Sequence, residues 1–151
     1  MLFRSQLIAY FPPPRVFLSY AHEDGVFVGK VCDELRKARL DPWMDRSSLE
    51  GGDVWQNEIE ERVRDADYFL VFQSQALMTK TFSYVNSEIK LALDRQRSVR
   101  QGFRFIIPLQ IGAGAVLPEL QEIQTVQLHD PSDVSSLVSV IVRDYQRRGR
   151  Q

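Results

Sequence analysis

The sequence predicts an α/β protein in which a parallel sheet is covered by helices on both faces. Short apolar runs that are typical of strands alternate along the chain with longer stretches whose apolar residues recur at helical spacing. One run, DYFLVFQS at residues 67–74, is almost continuously apolar, which is typical of a strand buried in the middle of a sheet. The length of 151 residues suits one domain with a hydrophobic core.

The amino-acid composition excludes some classes of binding partner. Hydrophobic residues make up 44% of the chain and charged residues 26%, and the formal net charge is −1. This balance gives no general attraction to nucleic acid or to an anionic membrane surface. A single cysteine, Cys32, excludes an internal disulfide and fits a reducing compartment. No apolar run approaches the roughly 20 residues needed to span a bilayer. We therefore expect a cytoplasmic protein with no direct nucleic-acid or membrane partner.

Three segments divide the chain. Residues 1–14 are predicted to be an extension or linker, because their apolar stretch is short and ends in Pro12–Pro14. Residues 15–147 form the predicted domain, and residues 148–151 form a C-terminal tail.

The first strand and helix are predicted from RVFLSY, residues 15–20, and from the helical stripe that follows it. Asp24 precedes that stripe and is expected to cap the helix. The stripe is formed by Phe27, Val31, Leu35 and Ala38, and Cys32 beside it is expected to be a small structural residue.

The second strand, LDPWMD at residues 40–45, contains Pro42, which favours an edge position. RSSLEGG, residues 46–52, is predicted to be a loop. Asp53 and Gln56 resemble a capping box at the start of the second helix. The apolar stripe of that helix consists of Trp55, Ile59, Val63 and Ala66.

The central strand at residues 67–74 is followed by SYVNSEIKLAL, residues 83–93, which predicts the third main helix. Val85, Ile89 and Ala92 share one stripe of it, and Glu88 lies at the edge of that stripe. FRFIIPLQI and VQLH predict the fourth strand and a weak fifth. Asp130, before a proline, is expected to cap the last helix. The stripe of that helix consists of Val134, Leu137, Val138, Ile141 and Tyr145.

A parallel sheet of this kind binds ligands beyond the carboxyl ends of its strands. The segments that leave the first three strands there are Ser19–His22, Asp45–Gly52 and Gln73–Ser74. The third helix should bring Glu88 to the same cleft. No glycine-rich phosphate loop follows the first strand, the two histidines are far apart in sequence, and no aspartate ends the third strand. Nucleotide fingerprints, a metal cluster and a phosphoacceptor site are therefore not predicted.

Acid chemistry is the class of reaction left open. The candidate carboxylates are Glu23, Asp24, Asp45, Glu50 and Glu88. One carboxylate suffices to break a glycosidic bond whose leaving group is already a cation, such as nicotinamide on ribose, because that group departs neutral. The competing interpretation of Glu88 is a solvated helix charge paired with Lys90 or Arg95. The cluster of Arg95, Arg97 and Arg100 is most simply a solvated helix end.

Four segments together resemble a Toll/interleukin-1 receptor (TIR) domain. They are RVFLSYAHED, LDPWMDRSSLEGG, ADYFLVFQSQAL and SYVNSEIKLAL, and the similarity extends over roughly residues 15–147. It implies a flavodoxin-like three-layer fold with five parallel strands in the order 2-1-3-4-5. Enzymatic members carry Trp-x-x-x-Glu early in the third helix. The matching residues here are Tyr84 and Glu88, so the tryptophan is replaced.

The resemblance also implies roles for individual residues. Glu88 is the catalytic residue, and no metal or cofactor is required because NAD is the substrate. The substrate-binding residues implied are Tyr84, Tyr20, Ala21, His22, Trp43, Asp45, Ser48, Leu49 and Glu50. The loop after the second strand, the BB loop of the family, would also mediate assembly through Arg46, Ser47, Leu49, Gly51 and Gly52.

The function implied is an NAD⁺ glycohydrolase or cyclase that breaks the nicotinamide–ribose bond. Other TIR domains in a head-to-tail assembly and a sensor domain or protein are the expected partners, in anti-phage immunity. The alternative is a non-enzymatic TIR scaffold for homotypic signalling, which the replacement of tryptophan by Tyr84 favours. A third possibility, a nucleoside deoxyribosyltransferase-like enzyme, shares the sheet and a glutamate but not the BB loop.

Overall fold

The structure, a computed structural model, describes residues 12–44, 53–80, 84–112 and 116–149, with only the backbone at residues 53–56 and 84. Its strands are β1 (Arg15–Ser19), β2 (Asp41–Met44), β3 (Tyr68–Gln73), β4 (Ile106–Gln110) and β5 (Val126–Gln127). Its α-helices are α1 (Gly25–Lys37), α2 (Asp53–Asp65), α3 (Gln75–Met78), α4 (Tyr84–Gln96) and α5 (Ser135–Gly149). Short 3₁₀ turns span His22–Asp24 and Pro118–Leu120.

The five strands form one parallel sheet in the order β2-β1-β3-β4-β5, which confirms the predicted fold class. β3 is central, and all six of its residues are buried, as its apolar run predicted. β2 is an edge strand, as Pro42 predicted, because proline cannot donate a hydrogen bond to a second neighbour. The strand order reverses between β1 and β3, and such a reversal is where ligands bind in sheets of this kind.

Helices cover both faces of the sheet. On one side, α1 and α5 pack on Val16, Leu18, Tyr68 and Leu70, and we call this the α1–α5 face. On the other side, α2 and α4 pack on Phe17, Phe69 and Val71, and we call this the α2–α4 face. Successive residues of β1 and β3 alternate between the two faces because side chains of a strand have a period of two.

The predicted stripes of α2, α4 and α5 face the core, and Ile59, Val63, Val85, Ile89 and Ile141 are among their buried residues. Val138 and Tyr145 are half-buried, and the side chain of Trp55 lies outside the described part of the chain. The buried stripe of α1 differs from the predicted one. Val28, Val31, Cys32 and Leu35 are its buried residues, whereas Phe27 is half-buried and Ala38 is exposed at the helix end. α3 was not predicted; its four residues are too few for a periodic pattern.

Two predicted helix caps are wrong. Asp24 occupies the position before α1, but its side chain makes no capping bond and instead accepts a hydrogen bond from the Ser74 hydroxyl. Asp130 accepts hydrogen bonds from the backbone N–H and hydroxyl of Ser132, and α5 begins only at Ser135. In both cases the carboxylate accepts a hydrogen bond from a serine instead of from the first turn of the helix. The predicted capping box of Asp53 and Gln56 lies outside the described side chains.

α5 continues through Gly149, two residues into the segment assigned to the tail, because Arg148 is held in place. Its Nε donates to Asp144 Oδ2 at 2.9 Å, and its guanidinium lies 4.5 Å from the ring of Tyr68. None of the described helices has both the length and the apolar character required to cross a membrane.

Candidate active site

Glu88 lies in α4 on the side that packs against the sheet. Its side chain is only 4% exposed, and its helical neighbours Val85 and Ile89 belong to the core of the α2–α4 face. The interpretation of Glu88 as a solvated surface charge is therefore wrong. Burying a charged carboxylate costs several kcal/mol of folding free energy unless hydrogen-bond donors or a cation compensate it.

One donor to Glu88 comes from the end of β1. The Ser19 hydroxyl donates to Glu88 Oε2 at 2.7 Å, and Ser19 itself is fully buried. Ser19 is the last residue of β1 and lies 69 residues from Glu88 in sequence. This contact places the carboxylate at the carboxyl edge of the sheet, where a ligand site was predicted.

A second group of polar side chains ends β3. Gln73 is fully buried, and its Oε1 accepts a hydrogen bond from the Leu117 N–H at 2.7 Å. Ser74, the next residue, accepts from the Leu77 N–H at 3.1 Å and thereby caps α3. The Ser74 hydroxyl also donates to Asp24, so it fastens the segment after β1 to the end of β3.

An exposed ion pair also holds the segment that follows β1. Lys80 Nζ lies 2.6 Å from Glu23 Oε1, and this hydrogen bond lowers the pKa of the exposed Glu23 carboxyl. Glu23 and Asp24, two candidate acids, thus have partners that hold the β1–α1 turn in place. Of the candidate acids in the described part of the chain, Glu88 alone is buried.

The predicted substrate-binding residues after β1 separate between the two faces. Ala21 is buried among the residues of the α2–α4 face, on the side of Glu88. Tyr20 packs against the α1–α5 face, and its ring is 4.0 Å from where a Cβ on Gly25 would lie. His22 is exposed at the first position of the 3₁₀ turn. Of these three residues, Ala21 alone belongs to the buried cluster of the face on which Glu88 lies.

Trp43 is half-buried on the α2–α4 face. Its ring centroid lies 5.1 Å from that of Phe17, its partner in β1, and the Arg62 guanidinium lies 5.4 Å from the Trp43 ring. Trp43 also lines a groove of about 240 Å³ with Arg15 and Asp41, which begin β1 and β2. This groove therefore opens toward the amino end of the sheet, away from Ser19.

The other predicted site residues lie outside the described part of the chain. They are the side chain of Tyr84 and the residues Asp45, Arg46, Ser47, Ser48, Leu49, Glu50, Gly51 and Gly52. Their roles in binding and assembly stay predictions. The sequence placed Ser19 and Gln73 in segments at this edge, but neither of them was assigned a role in the site. The signal available for both was a polar residue at the end of an otherwise apolar strand.

The chemistry of this arrangement follows from its donors and acceptors. A carboxylate held by a serine hydroxyl keeps lone pairs that accept hydrogen bonds from sugar hydroxyls. In an enclosed site, its charge stabilises a nearby developing cation far more strongly than it would in water. Across the residues that the structure describes, no group of three or more His, Cys, Asp or Glu side chains is placed to hold a metal ion.

The fold is similar to that of several solved structures, two of which are of TIR domains. The TIR domain of the Toll-related receptor TRR-2 from Hydra magnipapillata has 18% identity and a TM-score of 0.61, covering 90% of this chain and 98% of that one. The TIR domains of the activated Roq1 resistosome have 20% identity and a TM-score of 0.55, with 91% and 78% covered. The Clostridium botulinum CMP N-glycosidase BcmB has 12% identity and a TM-score of 0.59, with 84% and 98% covered.

A comparison with curated proteins finds no match. The three structural similarities, all at 20% identity or less, concern the fold. The family is established independently by a sequence model of the TIR domain, which matches residues 16–139 and so spans β1 to α5. The chain belongs to the TIR domain family.

Proposed function

We propose that this TIR domain cleaves the bond between nicotinamide and ribose in NAD⁺, with Glu88 as the catalytic carboxylate. The observation that supports this most is the buried Glu88, held by Ser19 at the carboxyl edge of the sheet. Burying a charge there reduces the stability of the folded state, and the position coincides with the edge at which such sheets bind ligands. The N-glycosidase among the similar structures indicates that the fold is compatible with N-glycosidic cleavage.

The proposed reaction breaks the C–N bond between the ribose anomeric carbon and the pyridinium nitrogen. The bonding electron pair goes to that nitrogen, so nicotinamide leaves neutral and needs no general acid. Glu88 accepts hydrogen bonds from the ribose hydroxyls and stabilises the positive charge that develops on the sugar. Water then adds to the anomeric carbon and releases a proton, giving ADP-ribose, or an internal nucleophile adds and gives a cyclic product.

The test is nicotinamide release from NAD⁺ by purified protein, with Glu88→Gln as the variant. Glutamine keeps the shape and removes the charge, and loss of one preorganised electrostatic group lowers the rate about 10²–10³-fold. Glu61→Gln makes the same change at an exposed position of α2 and is the matched control. Unchanged turnover by folded Glu88→Gln protein would remove Glu88 from the reaction.

The assay needs a concentration series and a crowding agent, because we also propose that activity depends on assembly with other TIR domains. One of the similar structures is that of TIR domains within an activated resistosome. In the cell, a sensor domain or protein would drive this assembly, and the proposed setting is cytoplasmic anti-phage immunity.

The competing function is a scaffold that binds other TIR domains without catalysis. The observation that favours it is Tyr84 at the position of the motif tryptophan. A scaffold would assemble at high concentration and release no nicotinamide. In that outcome, Glu88→Gln protein would assemble as the wild type does.

A further inference from the structure

Gln73 ends β3 on the same face of the sheet as Ser19. Val71 pairs with Ser19 across the two parallel strands, and Gln73 is two residues further along β3. Because side chains two residues apart in a strand share a face, Gln73 lies on the α2–α4 face, nearer the carboxyl edge than Ser19. The strand register therefore places Gln73 on the side of the sheet where Ser19 holds Glu88.

The carboxamide of Gln73 has a fixed orientation. Its Oε1 accepts the Leu117 N–H at 2.7 Å, which identifies the other terminal atom as the NH₂ group. Within the described residues, this Nε2 is the one buried side-chain nitrogen or oxygen without a hydrogen-bond partner. A buried donor left without an acceptor destabilises the folded state, so native proteins keep few of them.

The donor of Gln73 complements the chemistry of Glu88. An ionised carboxylate only accepts hydrogen bonds. Glu88 can therefore accept from the ribose hydroxyls but cannot donate to their oxygens. Gln73 Nε2 supplies N–H groups that lack an acceptor. We propose that Gln73 is a substrate-binding residue whose Nε2 donates a hydrogen bond to a hydroxyl oxygen of the ribose attached to nicotinamide.

This proposal depends on the proposed NAD⁺ cleavage and adds a source of substrate specificity to it. Both side chains are enclosed, since Gln73 is 0% and Glu88 4% exposed. A buried polar group that binds a substrate hydroxyl discriminates strongly against the analogue lacking it, because the protein group is then left unpaired. The site should therefore distinguish NAD⁺ from analogues whose nicotinamide ribose lacks one hydroxyl.

Two variants separate the donor of Gln73 from its structural bond to Leu117. Gln73→Glu keeps an acceptor for the Leu117 N–H but removes the N–H donor, whereas Gln73→Met removes both. Each is assayed with NAD⁺ and with the 2′-deoxy and 3′-deoxy analogues in the nicotinamide ribose. Both variants should lower kcat/KM for NAD⁺ about tenfold or more, the effect of one lost hydrogen bond in an enclosed site. With the analogue that lacks the bound hydroxyl, each variant should equal the wild type.

Three outcomes would overturn the proposal. A loss confined to Gln73→Met, and equal for all substrates, would assign Gln73 only to holding Leu117. Wild-type kcat/KM in both variants, with Glu88→Gln inactive, would reject the role of Gln73 and leave the proposed reaction standing. A wild-type protein that releases no nicotinamide in the assembled state would reject the proposed function and this binding role together. Thermal unfolding of each variant verifies that the compared proteins are folded.

Discussion

Replacing Ser19 by alanine tests whether the hydroxyl of Ser19 holds Glu88 for catalysis. The substitution removes one oxygen, which donates to Glu88 Oε2 at 2.7 Å, and leaves the β1 backbone pairing unchanged. Ser19 and Glu88 are 0% and 4% exposed, so the lost donor is replaced poorly by bulk water. Ser19 touches the carboxylate and not the proposed reacting atoms, which makes it a positioning residue.

The size of the effect follows from the charge of the acceptor. A hydrogen bond to a charged group contributes about 1.5–3 kcal/mol, and each 1.4 kcal/mol of lost transition-state stabilisation is about tenfold in rate. Complete loss would therefore lower the rate about 10-fold to 150-fold. Glu88 keeps its position in α4, so we expect Ser19→Ala near the lower end, about tenfold.

The assay is nicotinamide release at several NAD⁺ concentrations, so that kcat and KM are obtained separately. Misplacement of the catalytic carboxylate should appear chiefly in kcat, because the remaining contacts still bind the dinucleotide. Ser74→Ala is the matched control: it removes the same atom from another buried serine that donates to a carboxylate, Asp24. We expect it to lower stability while kcat stays within about twofold of wild type.

Either of two results would contradict a role of the Ser19 hydroxyl in holding Glu88 for catalysis. A folded Ser19→Ala protein with the kcat of wild type would show that the hydroxyl has no part in holding the carboxylate for catalysis. Equal losses in Ser19→Ala and Ser74→Ala would assign the effect to general loosening of this edge of the sheet.

Three further predictions concern stability and assembly. Asp144→Asn should lower the free energy of unfolding by about 3 kcal/mol in urea titrations, because it removes the buried negative charge that pairs with Arg148; an unchanged midpoint would contradict this. Burial and the bond to Asp144 raise the pKa of Tyr68, so the unfolded chain loses this proton first and stability should fall as pH rises above about 10. Tyr68→Phe should flatten that fall, and an identical alkaline slope in both proteins would exclude Tyr68. Leu49→Asp should lower sedimentation-detected assembly and nicotinamide release together, whereas full specific activity in a strictly monomeric sample would reject assembly.

The sheet was predictable because each of its strands and helices is encoded by a short stretch of consecutive residues. Each strand is a short apolar run, each helix is a periodic stripe, and alternation of the two restricts the topology to a parallel sheet. The same periodicity placed Glu88 only at the edge of the stripe formed by Val85 and Ile89, which left a solvated charge possible, and its burial is a finding of the structure. Periodicity in the sequence predicts the face of a helix or strand on which a residue lies.

The partners of polar side chains were not predictable because they come from distant parts of the chain. Ser19 is 69 residues from Glu88, and Tyr68 is 76 residues from Asp144. Arg95 was assigned to a solvated helix end, but its Nη1 donates to the Val63 carbonyl at 2.7 Å at the end of α2, and desolvation lowers its pKa. A charge at helical spacing does not reveal whether a neighbouring helix supplies carbonyls for it.

Glu88 and Asp144 are the two buried carboxylates in the described part of the chain, and they differ in their position along the sheet. Asp144 accepts from Tyr68, the first residue of β3, and from the Arg104 N–H before β4, so it binds the amino end of the sheet together. Arg148 balances its charge. Glu88 meets Ser19 at the opposite end, where parallel strands terminate and loops leave the sheet. Because burial of a carboxylate costs free energy at either end, the position of Glu88 at the edge where such sheets bind ligands supports the catalytic role that we propose for it.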